Sequence, residues 1–279
     1  MARRADGRSA VVKLLSAFLY PVKSMRGIEV SSIALDALGV IGDRRWMVVD
    51  PENQFLTQRA VPALVTLQPA LRERGLDIDD GGSVLNVEFP SVTTAARRRI
   101  TIWRDTFEAL DAGDEAAAWL SQRLGRACRL VHFASDVRRA VDTTYALDAQ
   151  TSFTDAYPLL IVNETSLDAL NATLSVPIPM NRFRPNLVVR GTVAWEEDGW
   201  SKLTVGGIPM DGVKPCARCV AITTDQHSGE KPQGSEPLSR LAELHTLALK
   251  TGSKGAMFGM NLVHRAQGTI HVGAPVEIG

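Results

Sequence analysis

The sequence predicts a β-rich α+β fold, with strands arranged as barrels and a few helices at the periphery. A long succession of short segments rich in Val, Ile, Leu and aromatic residues runs along the chain. Gly and Asp-Pro turn signals punctuate them, and only three stretches carry apolar residues at helical spacing.

Residues 1–9 are polar and Arg-rich and read as a frayed tail. A strand is expected over 12–20. Its VVKLLSAFLYPV context imitates a signal peptide, but Lys13 interrupts the apolar run and Tyr20-Pro21 stands where small residues would precede cleavage. Further strands are expected over 27–35, 45–50, 64–70, 84–89, 98–103 and 128–132, separated by Gly39, Gly42, Asp50-Pro51, Gly81-Gly82 and Asp111-Ala112-Gly113. Residues 114–124, DEAAAWLSQRL, have acidic residues in the first turn and Gly125 just past the end, which is helix start and stop chemistry. Residues 133–157 turn polar and aperiodic and read as a linker or site loop between two β-rich halves. A helix over 164–174 rests on Leu167, Leu170 and Leu174, and one over 236–249 on Leu238, Leu241 and Leu244. The remaining strands are expected over 185–190, 202–205, 219–223, 259–265 and 275–278.

With 279 residues, 45% hydrophobic and 22% charged, the chain supports one large or two modest cores and is not disordered. Thirty-one basic residues balance 31 acidic ones, which argues against a nucleic-acid or polybasic membrane surface and leaves a small charged ligand open. No apolar run approaches the ~18 residues of a membrane span. Cys128, Cys216 and Cys219 are too few for a disulfide scaffold, so a reducing, cytoplasmic setting is expected.

KPCARCVAITTDQHSG, residues 214–229, is the sharpest local feature. One Cys-x-x-Cys pair falls short of the four ligands of structural zinc, although His227 could add a third. A redox pair would need its first Cys to open a helix. Two buried cysteines at the start of a strand are the bland alternative. Lys214 and Arg218 flank the pair and would stabilise a thiolate, the form that ligates a soft metal. Basic-plus-hydroxyl sets, Lys23-Ser24, Arg44-Arg45 and Thr57-Gln58-Arg59, together with Arg182 and Arg184, have the donor chemistry for a phosphate or pterin; solvated surface charge is the alternative for each. Neither a Gly-x-Gly-x-x-Gly nor a Gly-x-x-x-x-Gly-Lys-Ser/Thr loop occurs.

In this order, YPVKSMRG (20–27), GDRRWMVVD (42–50), FLTQR (55–59), FTDAYPLLIVNETSLDALN (153–171), MNRFRPNLVV (180–189), WEEDGW (195–200), the Cys block and FGMNLVHRAQGTIHVGAPV (258–276) resemble the MOSC-domain proteins with an N-terminal MOSC β-barrel domain. The resemblance runs from about residue 12 to the end, and the agreement of separated blocks in order and spacing makes it specific. It implies an N-terminal domain over 11–135, a MOSC domain over 136–279, and a site between them.

The nearest functional relatives implied are amidoxime-reducing components and reductases of N-hydroxylated purines. The resemblance therefore implies a molybdenum-molybdopterin oxidoreductase that removes oxygen from a small N-hydroxylated substrate. It makes Cys219 the metal ligand and catalytic residue. Lys23, Ser24, Arg44, Arg184 and Arg218 become cofactor contacts, as do Asp155, Ala156 and Tyr157 of the loop before the Tyr-Pro step. Cys216 holds the less certain position of the pair, and Asp155, Asp225 and His227 are the candidate proton donors. No cysteine follows Cys219, so an iron–sulfur domain is not expected within the chain, and neither is a targeting or anchor segment. Electrons would then come from a separate ferredoxin- or cytochrome-type protein. The alternative function is a molybdenum cofactor carrier or sulfur-transfer module.

Overall fold

A computed structural model describes residues 12–191 and 193–279; the Arg-rich tail expected over 1–9 lies outside them. Seven strands close a barrel: Leu159–Asn163, Leu187–Val189, Val12–Leu19, Pro275–Ile278, Lys202–Val205, Ile208–Ala217 and Lys254–His264, the last pairing back onto the first. Every neighbouring pair is antiparallel except Leu159–Asn163 with Leu187–Val189. That parallel step needs a crossover, which the helix Glu164–Asn171 supplies. Asn163 starts this helix by accepting the Thr165 N–H at 3.0 Å.

Alternation along each strand fills the barrel. Leu159 and Ile161, Leu187 and Val189, Leu203 and Val205, and Met260 and Leu262 share one core. The intervening Leu160, Val162, Val188 and Phe258 pack outward against Leu167, Leu170 and Leu241 of the helices. This double burial explains why LLIVN, residues 159–163, reads as a continuous apolar run.

The N-terminal half holds two further sheets. One has the order Trp46–Val49, Arg129–His132, Asp105–Asp111, Arg97–Ile102, and the other is the meander Gln68–Arg72, Gly75–Asp79, Val84–Glu88. The helix Asp114–Leu124 buries Ala116 and Leu120 in the core they share with Leu76, Ile78 and Leu130. Val12–Leu19 belongs to the barrel, and Ser32–Asp36 pairs with Gly268–His271, so the two ends of the chain are interleaved. No helix among the described residues is long and apolar enough to cross a membrane.

Several expected elements differ. The strand expected over 219–223 is a 3-10 turn, Val220–Thr223, closed by the Ile222 N–H on the Cys219 carbonyl at 3.2 Å and by the Thr223 hydroxyl on the Val220 carbonyl. The helix expected over 236–249 covers only Leu238–Leu244; Thr246–Ala248 instead pairs with Lys254–His264, because a ladder partner outweighs the weak helical periodicity there. The apolar run over 64–70 divides into a 3-10 helix, Pro62–Thr66, and a strand, Gln68–Arg72, since proline fits a first helical turn. Strand Ile208–Ala217 is hidden in the sequence because Asp211, Gly212, Lys214 and Pro215 erase its alternation.

Gly259 tests the barrel seam. Its φ is +82°, and an added Cβ would lie 2.7 Å from the Ile161 carbonyl oxygen and the Val162 side chain across the closing pair. Gly259→Ala is expected to cost about 2 kcal/mol or more, read as a lower urea midpoint at unchanged slope. An unchanged midpoint would mean that the seam has room to spare.

Candidate functional site

A cleft of about 400 Å³ opens between the N-terminal half and the end of strand Ile208–Ala217. Its walls come from the loop after Val12–Leu19, the turn before Trp46–Val49, the tip of the Arg97–Ile102/Asp105–Asp111 hairpin, residues 154–160, the 3-10 segment Met180–Phe183 with Arg184, and the Cys block. The structure brings Lys23, Ser24, Arg44, Asp155, Ala156, Tyr157, Arg184, Arg218 and Cys219 to this one cleft. Asp225 and His227 do not line it: Asp225 pairs with Arg182 at 3.0 Å and accepts the His227 and Ser228 N–H groups, which makes it the hub of a turn.

Cations dominate the lining. Lys23, Arg44, Arg59, Arg182, Arg184, Lys214 and Arg218 face a single carboxylate, that of Asp155. Arg44 and Arg184 converge on the Tyr20 ring, with guanidinium carbons 4.2 and 4.4 Å from its centroid. Arg44 donates to Asp43 at 2.6 Å and to the Arg184 carbonyl at 3.0 Å. Arg184 donates one nitrogen to Gln226 at 3.0 Å, while its Nη2 is buried without a partner. Burial, followed by repulsion from Arg44, pushes the Arg184 guanidinium down to about 10. Two half-buried guanidinium groups this close, one with an idle buried donor, form a site that an anion would relieve.

Lys23 is buried and donates to the Phe153 carbonyl at 2.9 Å and to Asp155 at 2.6 Å. Burial lowers its pKa, and Asp155 opposes that shift. The Asp155 side chain is 74% exposed to the cleft. Desolvation raises its pKa, but the Lys23 charge and hydrogen bond outweigh that and hold the carboxyl well below the usual carboxylate range.

The two cysteines differ in their surroundings. Cys216 is half-buried in the strand, and burial pushes its thiol up. Cys219 is exposed, two residues past the strand's last residue, Ala217, and immediately before the 3-10 turn. Arg218 braces this loop: its Nε and Nη2 donate to the Phe258 carbonyl at 2.9 and 2.8 Å, and its Nη1 to the Phe183 carbonyl at 2.9 Å. Gln58 ties the far wall to the same loop through the Ala221 carbonyl at 3.0 Å. Among the described residues no three His, Cys, Asp or Glu side chains gather to hold a metal ion, so Cys216, Cys219 and His227 do not make a protein-only zinc site. An exposed thiol facing clustered cations, one with an unpartnered donor, fits a polyanionic cofactor that carries a soft metal.

The backbone is strained where the cleft is built. Ser24, Arg44, Trp103 and Arg184, all on its lining, have φ of +69°, +46°, +55° and +53°. Left-handed non-glycine residues persist only where their surroundings hold them, and they collect at ligand sites. Nothing in the sequence marks Trp103 as a site residue; it falls at the end of the strand expected over 98–103. Asn261 lay unremarked within FGMNLV, although its amide donates to the Lys214 carbonyl at 3.0 Å behind the Cys loop.

Comparison with known proteins adds a family. The profile described as MOSC N-terminal beta barrel domain matches residues 10–127, and the MOSC domain profile matches residues 148–277. Mitochondrial amidoxime-reducing component 1 of Mus musculus is 30% identical across 99% of this chain and 85% of its own length. Mitochondrial amidoxime reducing component 2 of Homo sapiens is 31% identical across 98% of this chain and 84% of its own. The molybdenum cofactor sulfurase of Oryza sativa subsp. japonica is 29% identical across 83% of this chain, which corresponds to 30% of that protein.

Proposed function

Because the chain belongs to the MOSC family, with an N-terminal MOSC barrel domain followed by a MOSC domain, we propose that it is a molybdenum-cofactor-dependent reductase of N-hydroxylated compounds such as amidoximes and N-hydroxylated bases. The observation that carries this reading is the exposed Cys219 facing a cation-lined cleft in which Arg184 keeps an unpartnered donor. The relatives named for amidoxime reduction support the choice of reaction.

When bound, the molybdenum–pterin group supplies two-electron removal of oxygen from nitrogen. The reaction consumes two electrons and two protons and releases water. Cys219 would hold the metal through its exposed sulfur, while Cys216, whose thiol burial pushes up, stays a neutral neighbour. Arg44 and Arg184 would hold the anionic end of the cofactor, with Ser24, on the same cleft lining, as an adaptable donor. Arg218 keeps the Cys219 loop in place. Lys23 holds a proton at Nζ, shared with Asp155 across 2.6 Å, and so keeps the Asp155 carboxylate ionised and oriented in the cleft. The three cysteines are free thiols, which suits a reducing, cytoplasmic compartment.

Electrons come from a separate partner in this reading. Lys214 and Lys250 face the Tyr145 ring at 4.6 and 5.7 Å, and Arg59 lies over Trp103; none of the three has an ion-pair partner among the described residues. Lys214 and Arg59 line the cleft and Lys250 approaches the same Tyr145 ring as Lys214, although the whole chain is neutral, so the partner is expected to be an acidic ferredoxin- or cytochrome-type protein. The molybdenum-loaded protein should be inert with NADH alone and should reduce benzamidoxime with reduced viologen. Raising salt from about 0.05 to 0.5 M should lower turnover driven by an acidic protein donor severalfold while viologen-driven turnover changes less than about twofold. Cofactor retention with no reduction under any low-potential donor would favour the carrier or sulfur-transfer alternative.

A further inference from the structure

Trp103 occupies the tip of the Arg97–Ile102/Asp105–Asp111 hairpin and lines the cleft from the N-terminal side. It keeps 47% of its surface accessible, yet it is held from several directions. Its indole N–H donates to Asp155 Oδ1 at 3.1 Å, the Arg59 guanidinium lies 4.7 Å from the ring centroid, and Phe55 tilts against the ring at 5.0 Å. Its φ of +55° is costly for so bulky a residue and persists because these contacts over-determine it. Asp155 also receives Lys23, and Trp103, Asp155, Cys216 and Cys219 all line the same cleft, so the indole shares a compartment with the thiols. A scattered surface tryptophan needs no explanation, but one fixed by its edge, stacked by a cation and still open toward a cleft is a preorganised stacking plane.

We propose that Trp103 is a specificity-determining residue: its indole is the wall against which a planar, delocalised substrate lies. An aryl amidoxime or an N-hydroxylated nucleobase presents such a face, whereas an alkyl amidoxime offers the same reducible group without it. The choice of N-hydroxylated ligands rests on the reductase reading; the stacking requires only a flat π-system. Aromatic stacking of this kind is worth about tenfold in affinity.

Calorimetric titration of the oxidised, molybdenum-loaded protein, with no reductant present, tests this with benzamidoxime, acetamidoxime and the unreactive benzamidine. Trp103→Leu and Trp103→Ala should weaken benzamidoxime and benzamidine about tenfold and acetamidoxime less than twofold. Trp103→Phe, which keeps a ring and loses the N–H, should stay within about threefold of the unaltered protein for all three. Leu and Phe both fill the position, and matched melting temperatures establish that the hairpin stands. Parallel losses for aryl and alkyl ligands would reduce Trp103 to a prop for Asp155 and overturn the proposal, as would binding of neither aryl ligand by the unaltered protein. Viologen-driven turnover of benzamidoxime separates the two readings. Turnover with an unchanged aryl preference sinks the wall alone, whereas the expected preference without turnover leaves the wall standing and removes the reductase assignment.

Discussion

Cys219→Ser is expected to strip the protein of most of its molybdenum and to lower turnover by at least about a hundredfold. A neutral hydroxyl is a poor replacement for a soft thiolate, and loss of a direct ligand should cost no less than the 10–100-fold reported for groups that merely orient ligands. The two cysteines are three residues apart, yet their expectations diverge. Cys219 is exposed just past the end of the strand, while Cys216 is half-buried within it, with a thiol that burial pushes up. Cys216→Ser should therefore keep its metal and lose less than about tenfold in rate. Elemental analysis of both purified variants beside their turnover with reduced viologen decides the matter. Full metal and full rate in the Cys219 variant would refute the ligand assignment, and equal losses at both positions would point to a pair of thiols acting together.

The site was more legible than the fold that builds it. Short blocks such as YPVKS, RFRPN and CARC carry their chemistry in residue type, so the cations and the thiol could be named without knowing where the chain runs. Their convergence is implied by the family resemblance and not by the residues themselves, because it depends on pairings between distant segments: Val12–Leu19 lies beside both Leu187–Val189 and Pro275–Ile278. The strand that delivers the cysteines was missed for a related reason. Ile208–Ala217 contains Asp211, Gly212 and Pro215, and it is a strand because Lys202–Val205 and Lys254–His264 pair with it on either side. Helix Asp114–Leu124 was legible residue for residue, since its acidic first turn and the left-handed Gly125 are local signals. Trp103 shows the opposite case. Its importance comes from Asp155, Arg59 and Phe55, none adjacent to it in sequence.

Arg184→Ala is expected to lower pterin retention by roughly 10-fold or more while leaving the cofactor-free protein as stable as before or more so. Hydrogen bonds from a charged donor to an anion contribute roughly 1.5–3 kcal/mol each, so losing one half-buried guanidinium is felt strongly by a bound phosphate group. Without the anion, the same guanidinium is a burden: it is half-buried beside Arg44, has an idle buried Nη2, and is pushed down to about 10 by desolvation and by that neighbour. Arg44→Ala should also lose pterin, but it strands the buried Asp43, which otherwise receives Arg44 at 2.6 Å and the Tyr20 N–H at 2.8 Å. Breaking such a pair costs about 3–5 kcal/mol, so Arg44→Ala should unfold at distinctly lower urea. Lys23→Ala falls between them, because it frees the Phe153 carbonyl and exposed Asp155 together. Fluorescence of the oxidised pterin released from each variant, set against the urea midpoint of each cofactor-free protein, separates binding from folding. Unaltered pterin in all three would mean that these cations do not converge on an anionic cofactor, and a large loss of stability in cofactor-free Arg184→Ala would mean that its guanidinium serves the fold and not a ligand.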